Sequence, residues 1–167
     1  MSLATRPTFL AARVRDVECG KGVRIVEPAN LYECGLGDDC FVGPFTEIQR
    51  GVTIGARTKI QSHAFICELV TIGSDCFIGH GVMFINDAFA GGGPAGGDRM
   101  LWRPTRIGDR VSIGSSATLL PVAICDDVVI GAGAVVTRDI SRAGIYGGNP
   151  ARFMREIESH LRRKSPS

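Results

Sequence analysis

A period of six governs most of this chain. Aliphatic or phenylalanine residues stand at Leu36, Val42, Ile48, Ile54, Ile60, Ile66, Ile72, Ile78 and Phe84. Four places after each comes a small or β-branched residue: Cys40, Thr46, Val52, Thr58, Ala64, Val70, Cys76, Val82 and Ala88. The period resumes at Ile107, Ile113 and Leu119, then slips by one residue to Ile124, Ile130 and Val136, and weaker matches at Ile25 and Leu31 precede it. An amphipathic helix would space its apolar residues by three and four, which this stretch does not do. Short strands separated by tight turns satisfy the period, with the paired positions pointing inward. The composition agrees, because 22 glycines and 44% hydrophobic residues with only 7% aromatics suit many corners around a small aliphatic core.

Two breaks in the period predict features outside the repeat. Ile107 comes far later than position 90, where the next match is due, so AGGGPAGGDRMLWRPT reads as an external loop over about 89–105. Long glycine-rich loops within compact domains are commonly functional, and Trp102 and Arg103 at its end favour a loop that docks. Beyond residue 141 the pattern stops. Asn149 suits an N-cap and Pro150 a first helical position. Phe153, Met154, Ile157 and Leu161 then follow at helical spacing. The expectation is a single all-β domain over 1–167, with coils over about 23–141 and a short C-terminal α-helix over 149–163 covering the open end.

Several classes are disfavoured. A net charge of +2, with acids and bases interspersed, makes no electrostatic case for nucleic acid. No apolar stretch approaches membrane-spanning length, so membrane insertion is not expected. The opening MSLATRPTFLAARVRD lacks the hydrophobic core and cleavage site of a signal peptide, which points to a cytoplasmic protein. Cys40 and Cys76 occupy a repeat position held elsewhere by Thr, Val or Ala, so they read as small core residues. No cysteine pair has CxxC spacing and no Cys/His cluster resembles a zinc site, so reduced thiols and no metal are expected.

The segments QSHAFICELVTIGSDCFIGHGVMFINDAF, WRPTRIGDRVSIGSSATLLP, VVIGAGAVVTRDI and GGNPAR resemble the hexapeptide-repeat acyltransferases. That resemblance implies a left-handed parallel β-helix with three short strands and eighteen residues per coil, an exception to the usual right-handed crossover. FIGHGVMFIND is similar more specifically to N-acetyltransferases acting on nucleotide-linked 3-amino sugars for surface polysaccharides. The resemblance implies acetyl-CoA as cosubstrate, no metal, a nucleotide-sugar acceptor, and a homotrimer with active sites in clefts between subunits. The loop departs from the group's pattern: after the Asn-Asp pair it reads DAFAGGG, without the usual charged–aromatic start.

With that coil length, one corner column contains Ser62, His80, Ser115 and Ala132, and another contains Arg50, Glu68, Asn86, Pro121 and Arg138. The resemblance places the pantetheine arm of acetyl-CoA against backbone groups of Ser115, Ser116, Ala117, Ala132, Gly133 and Ala134. It leaves the phosphates to Arg138, Arg152 and the nearby C-terminal basic residues, with Asn149 and Pro150 of GNPAR also at the cofactor. Asn86 matches the residue beside the sugar amine, where its amide orients the nucleophile. Glu68 either orients Asn86 or binds the ammonium form, and Asp87 is either a second site residue or ordinary turn chemistry. His80 is either the proton acceptor, since histidine changes charge near neutral pH, or a solvated turn residue. His63, at a neighbouring turn position, is a weaker candidate for that role, and His160 on the terminal helix reads as a surface residue. Three alternatives stay open: O-acetylation of another small acceptor, a γ-class carbonic anhydrase-like metal enzyme, and a non-catalytic structural subunit. The metal alternative needs converging histidines, and five residues after His80 stands Ile85.

Overall fold

The computed structural model describes residue 11 and residues 13–158. Their strands form three parallel sheets, which are the faces of a left-handed triangular prism of about seven turns. The first face stacks Val14–Arg15, Asn30–Tyr32, Glu47–Ile48, Phe65–Ile66, Met83–Phe84, Thr118–Leu119 and Val135–Val136. The second stacks Glu18–Cys19, Gly35–Leu36, Thr53–Ile54, Val70–Ile72, Thr105–Ile107 and Ala123–Ile124. The third runs from Arg24–Ile25 through Phe41–Val42, Lys59–Ile60, Phe77–Ile78, Ser112–Ile113 and Val128–Ile130 to Gly144–Gly147 and Arg152–Arg155. The chain visits the faces in that order. The corner leaving the first face is called the first corner here, and the corner leaving the third face the third.

Register follows the period of six. Ile48 pairs with Ile66 on the first face, Ile54 with Ile72 on the second, and Ile60 with Ile78 on the third. These side chains are almost wholly buried, so each turn adds three aliphatic residues to one continuous core. The second repeat position is also buried, and its chemistry has a reason. Thr46 and Thr58 donate to the carbonyls of Gln61 and Gly73 at 3.2 and 2.9 Å, and the Cys40 and Cys76 thiols reach those of Gly55 and Gly108 at 3.2 and 3.1 Å. A small residue with one donor therefore ties its coil to the next while filling the corner.

Each coil stacks tightly on its neighbour where glycine follows the aliphatic residue. A Cβ on Gly79 would lie 2.7 Å from the Ser115 nitrogen, and one on Gly114 would lie 2.5 Å from that of Ala132. Glycine is demanded there by the neighbouring coil.

Three expectations are corrected. The prism begins at Val14, before residue 23, because the first coil pairs by backbone although its apolar pattern is weak. Ala88 is exposed in the loop, so the ninth small-residue match lies outside the prism. Residues 149–155 are not helical, and Arg152–Arg155 is a strand antiparallel to Gly144–Gly147. The last strand of the third face would otherwise leave its backbone groups unpaired, and folding back satisfies them. Phe153 packs edge-on against Tyr146 with ring centroids 5.5 Å apart, which uses one of the apolar residues counted for a helix. Residues 159–163 of the expected helix, with Leu161 and His160, lie outside the described residues.

The loop between Met83–Phe84 and Thr105–Ile107 leaves the prism at the first corner. Its one regular element is a 3-10 turn at Arg99–Leu101, where the Asp98 carboxylate accepts from Met100 N–H.

Candidate functional site

The third corner carries the first predicted column. Phe77 pairs with Ser112 and Ser112 with Val129, so His80, Ser115 and Ala132 stand on successive coils. Ser62 lies one coil below His80, and its Oγ is 2.8 Å from His80 Nδ1. That bond orients the ring and leaves Nε2 to face outward chemistry. The N–H groups of Ser115 and Ala132 donate to no acceptor among the described residues, whereas Ser116 and Gly133 donate to the carbonyls of His80 and Ser115. Ser116 and Gly133 hold positive φ of 59° and 67°, which turns the chain and aims the preceding N–H groups away from the sheet.

Ala117 and Ala134 have a different role from the rest of that run. Their side chains are wholly buried and their N–H groups donate to Gly114 and Gly131. Of the run expected to line the cofactor, Ser115, Ser116, Ala132 and Gly133 lie on the outer surface of this corner.

The first corner carries the second column. Phe65 pairs with Met83, Met83 with Thr118, and Thr118 with Val135, which stacks Glu68, Asn86, Pro121 and Arg138. Asn86 Nδ2 donates to the Glu68 carbonyl at 3.2 Å, and the Asn86 carbonyl accepts from Arg103 N–H at 2.9 Å. One of the two amide N–H groups is thereby used, and Oδ1 accepts from no described residue. Glu68 orients Asn86 through its backbone; its carboxylate is instead ion-paired with Arg99 of the loop. Arg99 also lies over the Trp102 ring, 5.7 Å from its centroid.

Asp87 holds the loop. Its two oxygens accept from the N–H groups of Phe89 at 3.0 Å and Ala95 at 2.7 Å. Arg138 is exposed and forms no side-chain hydrogen bond or ion pair with another described residue. The Arg152 guanidinium reaches only the Ala151 carbonyl, and Asn149 and Pro150 sit in an exposed turn. His63 stacks on Phe45 with centroids 4.9 Å apart.

Sequence reasoning missed a chain of polar side chains below Asn86 on the first face. Arg15 reaches Asn30, Asn30 donates to Glu47 at 3.2 Å, Gln49 donates to Glu47 at 2.8 Å, and Gln49 Oε1 accepts from Glu68 N–H. Burial, then the nearby carboxylates of Glu47 and Glu68, raises the Tyr32 hydroxyl above its ordinary range. The clue was the polar run at outward positions Asn30, Glu47 and Gln49. Its meaning required the register.

The described cysteines are all free thiols. Burial pushes Cys67 up to about 12 and Cys34 and Cys76 up to about 11, which keeps them un-ionised and unreactive. No group of His, Cys, Asp and Glu among the described residues has the arrangement of a metal site, and no helix there is long and apolar enough to cross a membrane.

His80 and Asn86 stand at different corners, so one chain does not bring them to the same atom. A three-faced parallel prism of six-residue steps, with an N–H-lined corner and an anchored loop, is the architecture of a hexapeptide-repeat transferase. Two stretches of the chain match models of that family. Residues 33–68 match the bacterial transferase hexapeptide (six repeats), and residues 104–138 match the hexapeptide repeat of succinyl-transferase.

The bifunctional protein GlmU of Thermotoga petrophila is 31% identical over 153 residues, which cover 86% of this chain and 34% of that protein. The chain therefore spans about a third of the length of the curated relatives it matches. A galactoside acetyltransferase solved in complex with coenzyme A superposes with a TM-score of 0.65 at 30% identity, covering 75% of this chain and 66% of that one. A perosamine N-acetyltransferase variant from Caulobacter crescentus, solved with CoA and GDP-perosamine, superposes with a TM-score of 0.61 at 22% identity, covering 84% and 58%.

Proposed function

We propose that this chain is an acetyl-CoA-dependent N-acetyltransferase acting on the amino group of a nucleotide-linked amino sugar, working in the cytoplasm as a homotrimer in surface polysaccharide biosynthesis. The observation that carries the reading is the state of Asn86. One amide N–H is held by the Glu68 carbonyl, its oxygen is left to accept, and it stands at the root of an anchored loop. An amide oxygen so held can accept one N–H of an acceptor amine and aim the nitrogen lone pair. The perosamine N-acetyltransferase, solved with CoA and a nucleotide-linked amino sugar, supports the acceptor class.

The third corner fits the cosubstrate. Ser115 and Ala132 offer unpaired N–H groups beside small side chains, and they would hold the pantetheine arm with Ser116 and Gly133. Arg138, with Arg152, would neutralise the phosphates. In the reaction the amine nitrogen attacks the thioester carbonyl carbon. A C–N bond forms, the C–S bond breaks, and CoA leaves as the thiolate. Corner N–H groups would stabilise the charge developing on the carbonyl oxygen. The proton shed by nitrogen passes to His80 Nε2 or to water. His80 and Asn86 can serve one reaction only across a cleft between two copies, which is why the reading includes a trimer.

A second reading is O-acetylation. The galactoside acetyltransferase and the Ser62–His80 pair favour it, because a hydroxyl acceptor needs a base more than an amine does. The experiment is CoA release with acetyl-CoA and matched panels of nucleotide-linked amino sugars and neutral sugars. N-acetylated product with the amino sugars supports the first reading; turnover of only the hydroxyl acceptors overturns it.

A further inference from the structure

We propose that Arg103 and Arg106 form a binding site for an organic diphosphate, beside Asn86 and outside the third-corner surface that would hold the pantetheine arm. Arg50, Arg57, Arg99, Arg110, Arg142 and Arg155 each pair with a carboxylate. The side chains of Arg103 and Arg106 form no hydrogen bond or ion pair with any described residue, although both residues line a hollow of about 210 Å³. The hollow is walled by Pro104 and Pro121, and it also contains the carboxylate of Asp139. That carboxylate accepts from Ala123 N–H at 2.8 Å and forms no ion pair with either arginine. Two guanidinium groups are therefore left with their charge unanswered around one concavity.

The backbone that carries them is fixed on both sides. Arg103 N–H donates to the Asn86 carbonyl at 2.9 Å, Thr105 N–H to Leu69 at 3.1 Å, and Arg106 N–H to Val122 at 2.9 Å. Arg106 pairs in register with Ala123, a residue too small to screen it. Arg138, exposed and without an ion pair, stands one coil on from Pro121 in the same column. Guanidinium groups bind phosphate oxygens through paired N–H donors, and several on a rigid backbone favour a group carrying more than one phosphate. Such a group arrives in the proposed reaction from two sources, the acceptor nucleotide and CoA. The inference rests on the proposed function only for naming those sources.

The test is a binding measurement that needs no turnover. Trp102, the single tryptophan, immediately precedes Arg103, so its emission reports on the hollow. Inorganic pyrophosphate titrated into the full chain should change that emission and saturate, and orthophosphate should bind more weakly. Arg103→Gln and Arg106→Gln should each weaken pyrophosphate binding about ten-fold, the scale of a charge-assisted hydrogen bond. Asp139→Asn should tighten it, and Lys59→Gln on the third face should leave it unchanged. Calorimetry of the same variants with a nucleoside diphosphate and with CoA separates the sources: the ligand whose affinity falls is the one whose phosphates occupy the site. Binding by the Arg103→Gln/Arg106→Gln double variant within two-fold of wild type for all three ligands overturns the proposal, provided its far-UV circular dichroism is unchanged. So does Lys59→Gln weakening pyrophosphate as much as either arginine variant, which would mean general charge attraction. Loss of binding in the arginine variants would stand even if no acetyl transfer is ever detected.

Discussion

Gly114→Ala tests the stacking of coils at the corner assigned to the cosubstrate. The added methyl would lie 2.5 Å from the Ala132 nitrogen and 2.8 Å from the Ala132 Cα and the Gly131 carbonyl carbon, where ordinary contact begins at 3.4 Å. All three are backbone atoms of the next coil, so relief requires the coils to part by about 0.9 Å. The hydrogen bonds flanking the contact, Gly114 to Ile130 at 2.8 Å and Gly133 to Ser115 at 2.9 Å, would then pass beyond useful length. Each is worth about 1 kcal/mol net, and overpacking adds about 1–3 kcal/mol, so a loss of about 3–5 kcal/mol is expected. Denaturant unfolding at fixed protein concentration measures it, with Gly91→Ala as control because nothing lies within 4 Å of its added methyl. A Gly114→Ala protein as stable as the control would refute the claim that close backbone approach requires this glycine.

The other predictions address the site and its surroundings. Asn86→Ala should lower kcat about ten- to a thousand-fold with the KM for acetyl-CoA nearly unchanged, because the amide is placed on the acceptor; steady-state kinetics decide it. His80→Ala should flatten the acidic limb of the pH–rate profile if the ring takes the proton, whereas an unchanged limb assigns it to the acceptor amine. Arg99→Ala removes a half-exposed ion pair worth about 1 kcal/mol at most, so global stability should hardly change while loop amides such as Phe89 and Ala95 exchange faster in deuterium. The thiols of Cys34, Cys67 and Cys76 are raised above 9.0 on folding, so their contribution is fully present below pH 9 and is lost as pH rises towards 11–12. Triple replacement by Ala or Val should therefore reduce the alkaline loss of stability seen in unfolding titrations.

The prism was legible because its core is local in sequence. Every six residues an inward position returns, and a residue such as Ile66 or Ile78 has no other means of burial. The loop was legible for the converse reason, as its glycine-rich stretch breaks the period until Thr105 and Ile107 restore it. The C-terminal strand was not legible. Phe153, Met154 and Ile157 fit a helical stripe on paper, but what decides the conformation is the unpaired edge of Gly144–Gly147, a feature of the assembled sheet. The first coil failed in the same way: Val14 and Cys19 make a poor pattern, and their strands are held by pairing to Leu31 and Leu36.

At the site, counting coils predicted which residues stack, yet stacking did not predict what each atom does. Glu68 and Asn86 are neighbours as expected, but the bond runs to a carbonyl and the carboxylate turns to Arg99, which sits 31 residues away on a loop whose path no period describes. Ala117 and Ala134 follow Ser115 and Ala132 by two residues, and that is enough to turn them into the core. A corner reverses inward and outward within three residues, so a contiguous run can never line a cleft as a unit. The same geometry separates His80 from Asn86. Consecutive corners lie at opposite ends of a strand on the first face, and lengthening the prism cannot bring them closer. If both act on one acceptor, a second copy must present its first corner to this copy's third. The exposed outward residues Met83 and Phe45, and Met100 of the loop, are apolar surface that such an approach would cover.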